Sequence, residues 1–235
     1  MLLSSSGIFV TGTDTNVGKT WVSTLLVAAL KKKKIPVGYF KPVQTGLDSD
    51  TAQVRIQTGL PEEDAPPPAY FFPQPMAPAR AASLANDGAG VQIQLDSIFH
   101  YWKNLPNFAD RWWVVEGAGG LMVPLNSKHV IRDLIGAFGL KTLVVSSTRL
   151  GTINHTLLTL EAAKAAGVDV VGVVLNGQDD PGLEKVIEDY SNVPVIANVP
   201  NYQPHQMTSC QDVQVLAEQV FSSEVLRRIC GREVS

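Results

Sequence analysis

Thiols are scarce: Cys210 and Cys230 are the two cysteines among 235 residues. Neither stands in a Cys-x-x-Cys or metal-ligand spacing, so neither a zinc site nor a disulfide framework is indicated, and a reduced compartment follows. Positive charge is not in excess. The net charge is −3, whereas a nucleic-acid binder that depends on counterion release usually carries a basic stripe. The one basic run, Lys31-Lys32-Lys33-Lys34, falls where the first helix should end, and cations there complement the helix dipole. No apolar run approaches the length of a membrane span, and the N-terminus has neither a charged n-region nor an adequate apolar h-region. The expectation is a cytoplasmic protein with no membrane and no nucleic-acid partner. The four histidines are scattered and read as structural or surface residues. What is present is a globular composition, 45% hydrophobic and 17% charged, able to bury a sizeable core. The length suits one α/β domain spanning 1–235.

The chain is organised around Gly7 to Thr24. The apolar run Ile8-Phe9-Val10 reads as a buried strand, Thr11 to Thr20 contains a small-residue loop ending in Gly18-Lys19-Thr20, and Trp21 onward reads as a helix. Strand, loop and helix in that order are the context of a phosphate-binding loop. A helix N-terminus offers unpaired N–H groups and partial positive charge, and small loop residues let further N–H groups close on phosphate oxygens. Lys19 then reaches the terminal phosphates and the Thr20 hydroxyl a Mg²⁺ ion. The loop departs from the usual pattern in one respect: the Gly expected five residues before Gly18-Lys19 is Thr13, and Gly12 lies one place earlier.

Residues 35–40 read as a second strand that ends at the turn Lys41-Pro42-Val43-Gln44-Thr45-Gly46. Strand ends of parallel sheets are where ligands sit, so Lys41 and Thr45 are candidates. Asp50 opens a helical pattern, 51–57. Prolines crowd the stretch from Pro61 to Pro78, which reads as an ordered excursion whose aromatics, Tyr70-Phe71-Phe72, must be buried. Helices are expected over 80–86 and 93–105. The strand 111–115 delivers Glu116 into Gly117-Ala118-Gly119-Gly120, a carboxylate placed for a metal or a phosphate-site water. There follow a helix over 130–138, a strand over 142–146, and a helix opened by 149–155 and running to Ala166. The N-terminus of that helix, near Gly151, suits an anion such as a carboxylate. A strand over 168–175 ends at Asn176-Gly177, where an amide could pair with a purine edge. A helix over 183–190, a strand over 194–199, the turn Pro200-Asn201-Tyr202 and one helix over 212–228 complete the chain. This β-α alternation predicts an α/β fold with a doubly wound, mostly parallel sheet.

Four motifs in order, Thr11-Gly12-Thr13-Asp14-Thr15-x-Val17-Gly18-Lys19-Thr20, Lys41-Pro42-Val43-x-Thr45-Gly46, Val115 to Gly120 and Gly151-x-Ile153-Asn154-His155, closely resemble the dethiobiotin synthetase family. The resemblance runs from residue 8 to about 202. It implies a P-loop cyclo-ligase of biotin synthesis that joins 7,8-diaminopelargonate and CO₂ into a cyclic urea at the expense of ATP, with Mg²⁺ as cofactor. It further implies that Asn16, Val17, Gly18, Lys19, Thr20 and Trp21 cradle the phosphates, with Gly117, Ala118 and Gly119 beside them. By the same match Lys19 and Lys41 supply charge at the transferring group, and Thr20, Asp50 and Glu116 bind Mg²⁺. Thr15 and Thr45 flank the reacting end of the substrate. Asn176, Gly177, Pro200, Asn201 and Tyr202 surround the nucleoside. The family is homodimeric, and Gly151, Thr152, Ile153 and Asn154 hold the substrate carboxylate across the interface. This chain has Asn16 where the family often has Glu, and its short segment before Asp50 leaves Asp48 as the rival ligand.

A second class, the ParA and MinD nucleotide-switch ATPases, shares the loop chemistry. It places an additional Lys early in the loop, and positions 13–16 here are Thr-Asp-Thr-Asn. The synthetase half of a cobyrinic acid amidating enzyme would need a further glutaminase domain, for which 235 residues leave no room.

Overall fold

Alternate residues of the first strand, β1 (Gly7–Gly12), face opposite ways and divide the interior into two layers. Ile8 and Val10 enter one apolar cluster with Leu25, Leu26 and Leu30 of α1 (Lys19–Lys32). Phe9 enters the other with Trp102 and Phe138. The computed structural model describes residues 7–85, 88–201 and 209–231. After α1 come β2 (Val37–Phe40), β3 (Val43–Thr45), α2 (Asp50–Thr58), β4 (Tyr70–Phe72), α3 (Pro78–Leu84), α4 (Leu95–Lys103) and β5 (Trp112–Gly120). Then follow α5 (Ile131–Phe138), β6 (Lys141–Ser147), α6 (Thr152–Ala165), β7 (Val170–Gly177), α7 (Leu183–Ser191), β8 (Val195–Pro200), α8 (Cys210–Val220) and α9 (Ser223–Cys230).

The main sheet is six-stranded and parallel, in the order β2-β5-β1-β6-β7-β8. The expected doubly wound α/β sheet is what forms. Because β5 lies between β2 and β1, the C-terminal ends of those strands and the loop after β1 meet at one edge, the place where open parallel sheets bind ligands.

Several local expectations change. The turn after β2 contains β3, which pairs in parallel with β4, Val43 opposite Tyr70 and Thr45 opposite Phe72. A three-residue strand whose partner lies far along the chain has no local period to reveal it. The pairing turns Phe72 inward and leaves Phe71 53% exposed, so the aromatics are not all buried. β5 does not end at Glu116 but runs to Gly120, which pairs with Gly12, and β7 includes Asn176 and Gly177. The single helix expected over 212–228 is two. Buried Phe221 ends α8, and the Ser222 hydroxyl accepts the Val225 N–H to start α9, an N-cap that competes well with helix continuation. Lys31 and Lys32 lie in the last turn of α1, where the basic run was expected, and the Lys31 ammonium in addition donates to Thr58 O (2.6 Å) and Gly59 O (2.9 Å) at the end of α2. Asn86 and Tyr202 lie outside the described residues. Among the described residues no helix is long and apolar enough to cross a membrane.

Candidate active site

The loop between β1 and α1 closes on itself. The Thr13 N–H donates to Val145 O (3.0 Å), and the Lys19 ammonium reaches back to Asp14 O (2.9 Å). Gly18 adopts φ 94° and Asn16 φ 60°, left-handed values that Gly and Asn tolerate best. A Cβ on Gly12 would lie 2.8 Å from Val17 Cγ2. The close approach that requires glycine is therefore at position 12, and Thr13 is free to carry a side chain. Across the loop, Asn176 Nδ2 donates to Val17 O (3.0 Å) and stands directly against Gly18.

Beside the loop lies a charged cluster. Lys41 Nζ is 2.7 Å from Glu116 Oε1 and 2.7 Å from Asp50 Oδ2, and it also donates to Gly117 O (3.1 Å). The Thr20 hydroxyl is within hydrogen-bond distance of both carboxylates, 3.0 Å from Asp50 Oδ1 and 2.9 Å from Glu116 Oε1. Glu116 and Lys41 are buried. Burial draws the Lys41 ammonium toward deprotonation, but the charges of Glu116 and Asp50 outweigh it and raise its pKa above the usual lysine value. Lys19 has no such close carboxylate. Its burial, aided by the Lys41 charge, lowers its pKa to about 8. The Tyr39 phenol, buried and beside Glu116 and Asp50, is raised well above its ordinary pKa. Asp48 borders the same cleft but is exposed, and among the described residues its backbone oxygen, not its carboxylate, is engaged, by Gln44 Nε2 (3.0 Å). The geometry thus joins Asp50, not Asp48, to Thr20 and Glu116.

A cleft of about 670 Å³ opens over this cluster, and Thr15, Asn16, Gly18, Trp21, Thr45, Ala118 and Gly119 line it as well. A second cleft, of about 440 Å³, lies at the ends of β7 and β8 and is lined by Gly177, Pro200 and Asn201 with Thr148. The Gly151, Thr152, Ile153 and Asn154 group lines neither cleft. It forms the start of α6, with Thr152 buried and the other three exposed.

Comparison with known proteins separates the two sequence readings. The family described as an AAA domain matches residues 6–207. The ATP-dependent dethiobiotin synthetase BioD of Bacillus licheniformis is 36% identical over 232 residues, covering 91% of this chain and 97% of that protein. The chain belongs to the dethiobiotin synthetase family. The corresponding enzyme of Paramagnetospirillum magneticum is 39% identical, over 82% of this chain and 87% of its own length. In fold, this dethiobiotin synthetase relative is like the MinD cell division protein of Aquifex aeolicus (TM-score 0.58, 13% identity, 96% of this chain and 95% of that one). It is also like a ParA family ATPase from Chlorobium tepidum TLS (TM-score 0.53, 11% identity, 97% of each chain). At those identities the likeness is one of architecture alone.

Three site-supporting groups of this dethiobiotin synthetase relative escaped sequence reading. Gln44, the unassigned member of the Lys41 to Gly46 motif, is buried and donates from Nε2 to Thr45 O and Asp48 O (both 3.0 Å), while its Oε1 faces the Asp50 N–H at 3.4 Å. Ser146 is the hub of a buried hydroxyl cluster, 2.7 Å from Thr152 Oγ1, 2.8 Å from Thr156 Oγ1 and 3.3 Å from Thr13 Oγ1. It ties the phosphate loop to the start of α6. Tyr39 reaches Glu116. Only for Tyr39 was a signal present: on an extended strand it shares a face with Lys41, two residues on.

Proposed function

We propose that the chain is an ATP- and Mg²⁺-dependent cyclo-ligase that forms the ureido ring of dethiobiotin from 7,8-diaminopelargonate and CO₂, releasing ADP and phosphate. The observation that carries this reading is the convergence of Lys19, Lys41, Thr20, Asp50 and Glu116 on one cleft in a chain of that family. One amine of the substrate and CO₂ give a carbamate, and the γ-phosphoryl group passes to a carbamate oxygen, giving a carbamic-phosphoric anhydride. The second amine then closes the ring and expels phosphate. Phosphoryl transfer asks the protein for positioning and charge. Lys19, the N–H groups of residues 16–21 and the start of α1 hold the phosphates, while Lys41 faces the transferring group from the end of β2. Thr15 and Thr45 flank the diamine.

The donor chemistry fits a hard cation. Two carboxylates and a hydroxyl converge, the usual type of oxygen set for Mg²⁺, and the two carboxylates already hold the Lys41 ammonium. When bound, Mg²⁺ neutralises charge on the β- and γ-phosphates. The second cleft suits the nucleoside. Asn176 itself lines neither cleft; its amide bond to Val17 O braces the loop beside the second cleft, whose wall the next residue, Gly177, supplies. A homodimer with the substrate carboxylate at the α6 start fits the exposed apolar side chains there and nearby: Leu150 is fully exposed, with Ile153, Leu158 and Met122 also open. The cytoplasm, where ATP is present and Cys210 and Cys230 stay reduced, is the setting this reading assigns.

The test is phosphate release from ATP with and without 7,8-diaminopelargonate. Release that depends on the diamine, by a preparation that sediments as a dimer, is the expected result. Diamine-independent turnover removes the ligase reading and restores the nucleotide-switch alternative, and an active monomer removes the shared site.

Lys19 also makes nucleotide affinity depend on pH. Its ammonium titrates at about 8 in the ligand-free protein, and bound phosphates favour the charged form and raise that value. Below pH 8 the lysine is already charged and affinity is flat in this respect. Above it, binding must take up a proton, so affinity falls by up to about tenfold per pH unit. Calorimetry of ATP binding at pH 9 in buffers of different ionisation heat should show uptake approaching one proton. No uptake would remove Lys19 from the phosphates.

A further inference from the structure

Tyr39 lies in an otherwise apolar cluster and is wholly buried. A buried hydroxyl is costly unless it is hydrogen-bonded, and this one donates to Glu116 Oε2 at 2.9 Å. The sheet register explains the contact. β2 and β5 are parallel with Tyr39 opposite Val114, and side chains two residues apart on a strand share a face. Glu116 therefore projects from β5 on the same side as Tyr39, one step toward the C-terminal edge. Lys41 follows Tyr39 by the same interval, and its ammonium meets Glu116 Oε1. Tyr39 on β2 and Lys41 just beyond its end thus take the two oxygens of one carboxylate, the phenol on the core side and the ammonium on the cleft side.

We infer that Tyr39 is a positioning residue for the nucleotide site: by fixing Oε2 from the core, it sets the plane of the Glu116 carboxylate so that Oε1 faces Thr20 and the cleft. The inference rests on the reading of Glu116 as a Mg²⁺ ligand. Lys41 and Thr20 share Oε1 and stand where phosphates and metal draw on the same groups. Tyr39 stands behind the carboxylate and keeps its bond whichever partner Oε1 takes. Without it, Glu116 Oε2 faces an apolar cluster and the carboxylate turns to satisfy both oxygens at the cleft.

The experiment is calorimetry of ADP binding to the full chain over a range of MgCl₂ concentrations, with thermal melting in parallel, for the parent protein, Tyr39→Phe and Glu116→Gln. Loss of an outer partner of a ligating group weakens metal binding by about tenfold or more. Tyr39→Phe is expected to raise the Mg²⁺ concentration for half-maximal tightening by about that factor, while ADP affinity without metal stays within about twofold, a split that a merely structural change would not give. If Glu116→Gln raises the Mg²⁺ requirement and Tyr39→Phe does not, the inference is overturned and the metal reading stands. If neither variant moves it, the metal reading itself fails and takes the inference with it. Equal weakening with and without Mg²⁺ assigns Tyr39 to general packing and also overturns the inference.

Discussion

Lys41→Gln should lower diamine-dependent turnover by roughly 10²-fold or more, the scale of removing one preorganised electrostatic donor from a charge-developing site. The structure adds a second consequence. The Lys41 ammonium lies 2.7 Å from both Glu116 and Asp50, and removing one member of a buried ionic group leaves the others uncompensated, at about 3–5 kcal/mol. A smaller loss, about 2 kcal/mol, is expected here. Asp50 keeps 25% side-chain exposure, and Tyr39 and Thr20 still bond Glu116. The two effects separate by ligand. On the proposed reading, Mg²⁺ with ADP would restore positive charge between the carboxylates and recover most of the lost melting temperature, whereas turnover should stay low. Near-normal turnover would place Lys41 outside the chemistry and leave it a structural counter-ion. Loss of turnover that recovers together with stability would say the same.

Gly18→Ala is expected to weaken ADP and ATP binding by roughly 10–100-fold. The φ of 94° at this position costs an L-residue about 1–2 kcal/mol, and a methyl there runs into Asn176 Nδ2. Moving that amide breaks its bond to Val17 O, worth about 1 kcal/mol, so the loop loses both its own conformation and its brace. Calorimetry of the single and double variants with Asn176→Ala distinguishes the two contributions. The double variant removes the collision but not the strain, so its loss of affinity should be smaller than the sum of the two single-variant losses. Parent-like affinity in Gly18→Ala would show that the loop binds phosphate in another conformation from the one described.

Much of the candidate site was legible because the pattern that marks it is local. Thr11 to Thr20 is continuous in sequence, and the order of apolar strand, small loop and helix is itself the physical requirement for an anion-binding helix start. Lys41 and Glu116 were found in the same way, at the ends of apolar runs. The α/β class followed from alternating periods, since side-chain direction repeats every two residues in a strand and about every 3.6 in a helix. Local pattern was thus enough for the kind of fold and for picking out charged residues that line one cleft. Tertiary structure alone decided which strands are neighbours. Local period says which face of a strand is apolar, but many pairings and registers satisfy the same alternation. The order β2-β5-β1 is chosen by how whole surfaces fit. That order brings Tyr39, Lys41 and Glu116 to one point, and the pairing of β7 with β6 carries Asn176 to Gly18. The bonds of Ser146 to Thr13 and of Asn176 to Val17, like the burial of Phe221 in the cluster it shares with β1 and α1, depend on partners that sequence distance conceals. A hydrogen bond or buried contact is decided by proximity in space, which only the folded chain supplies.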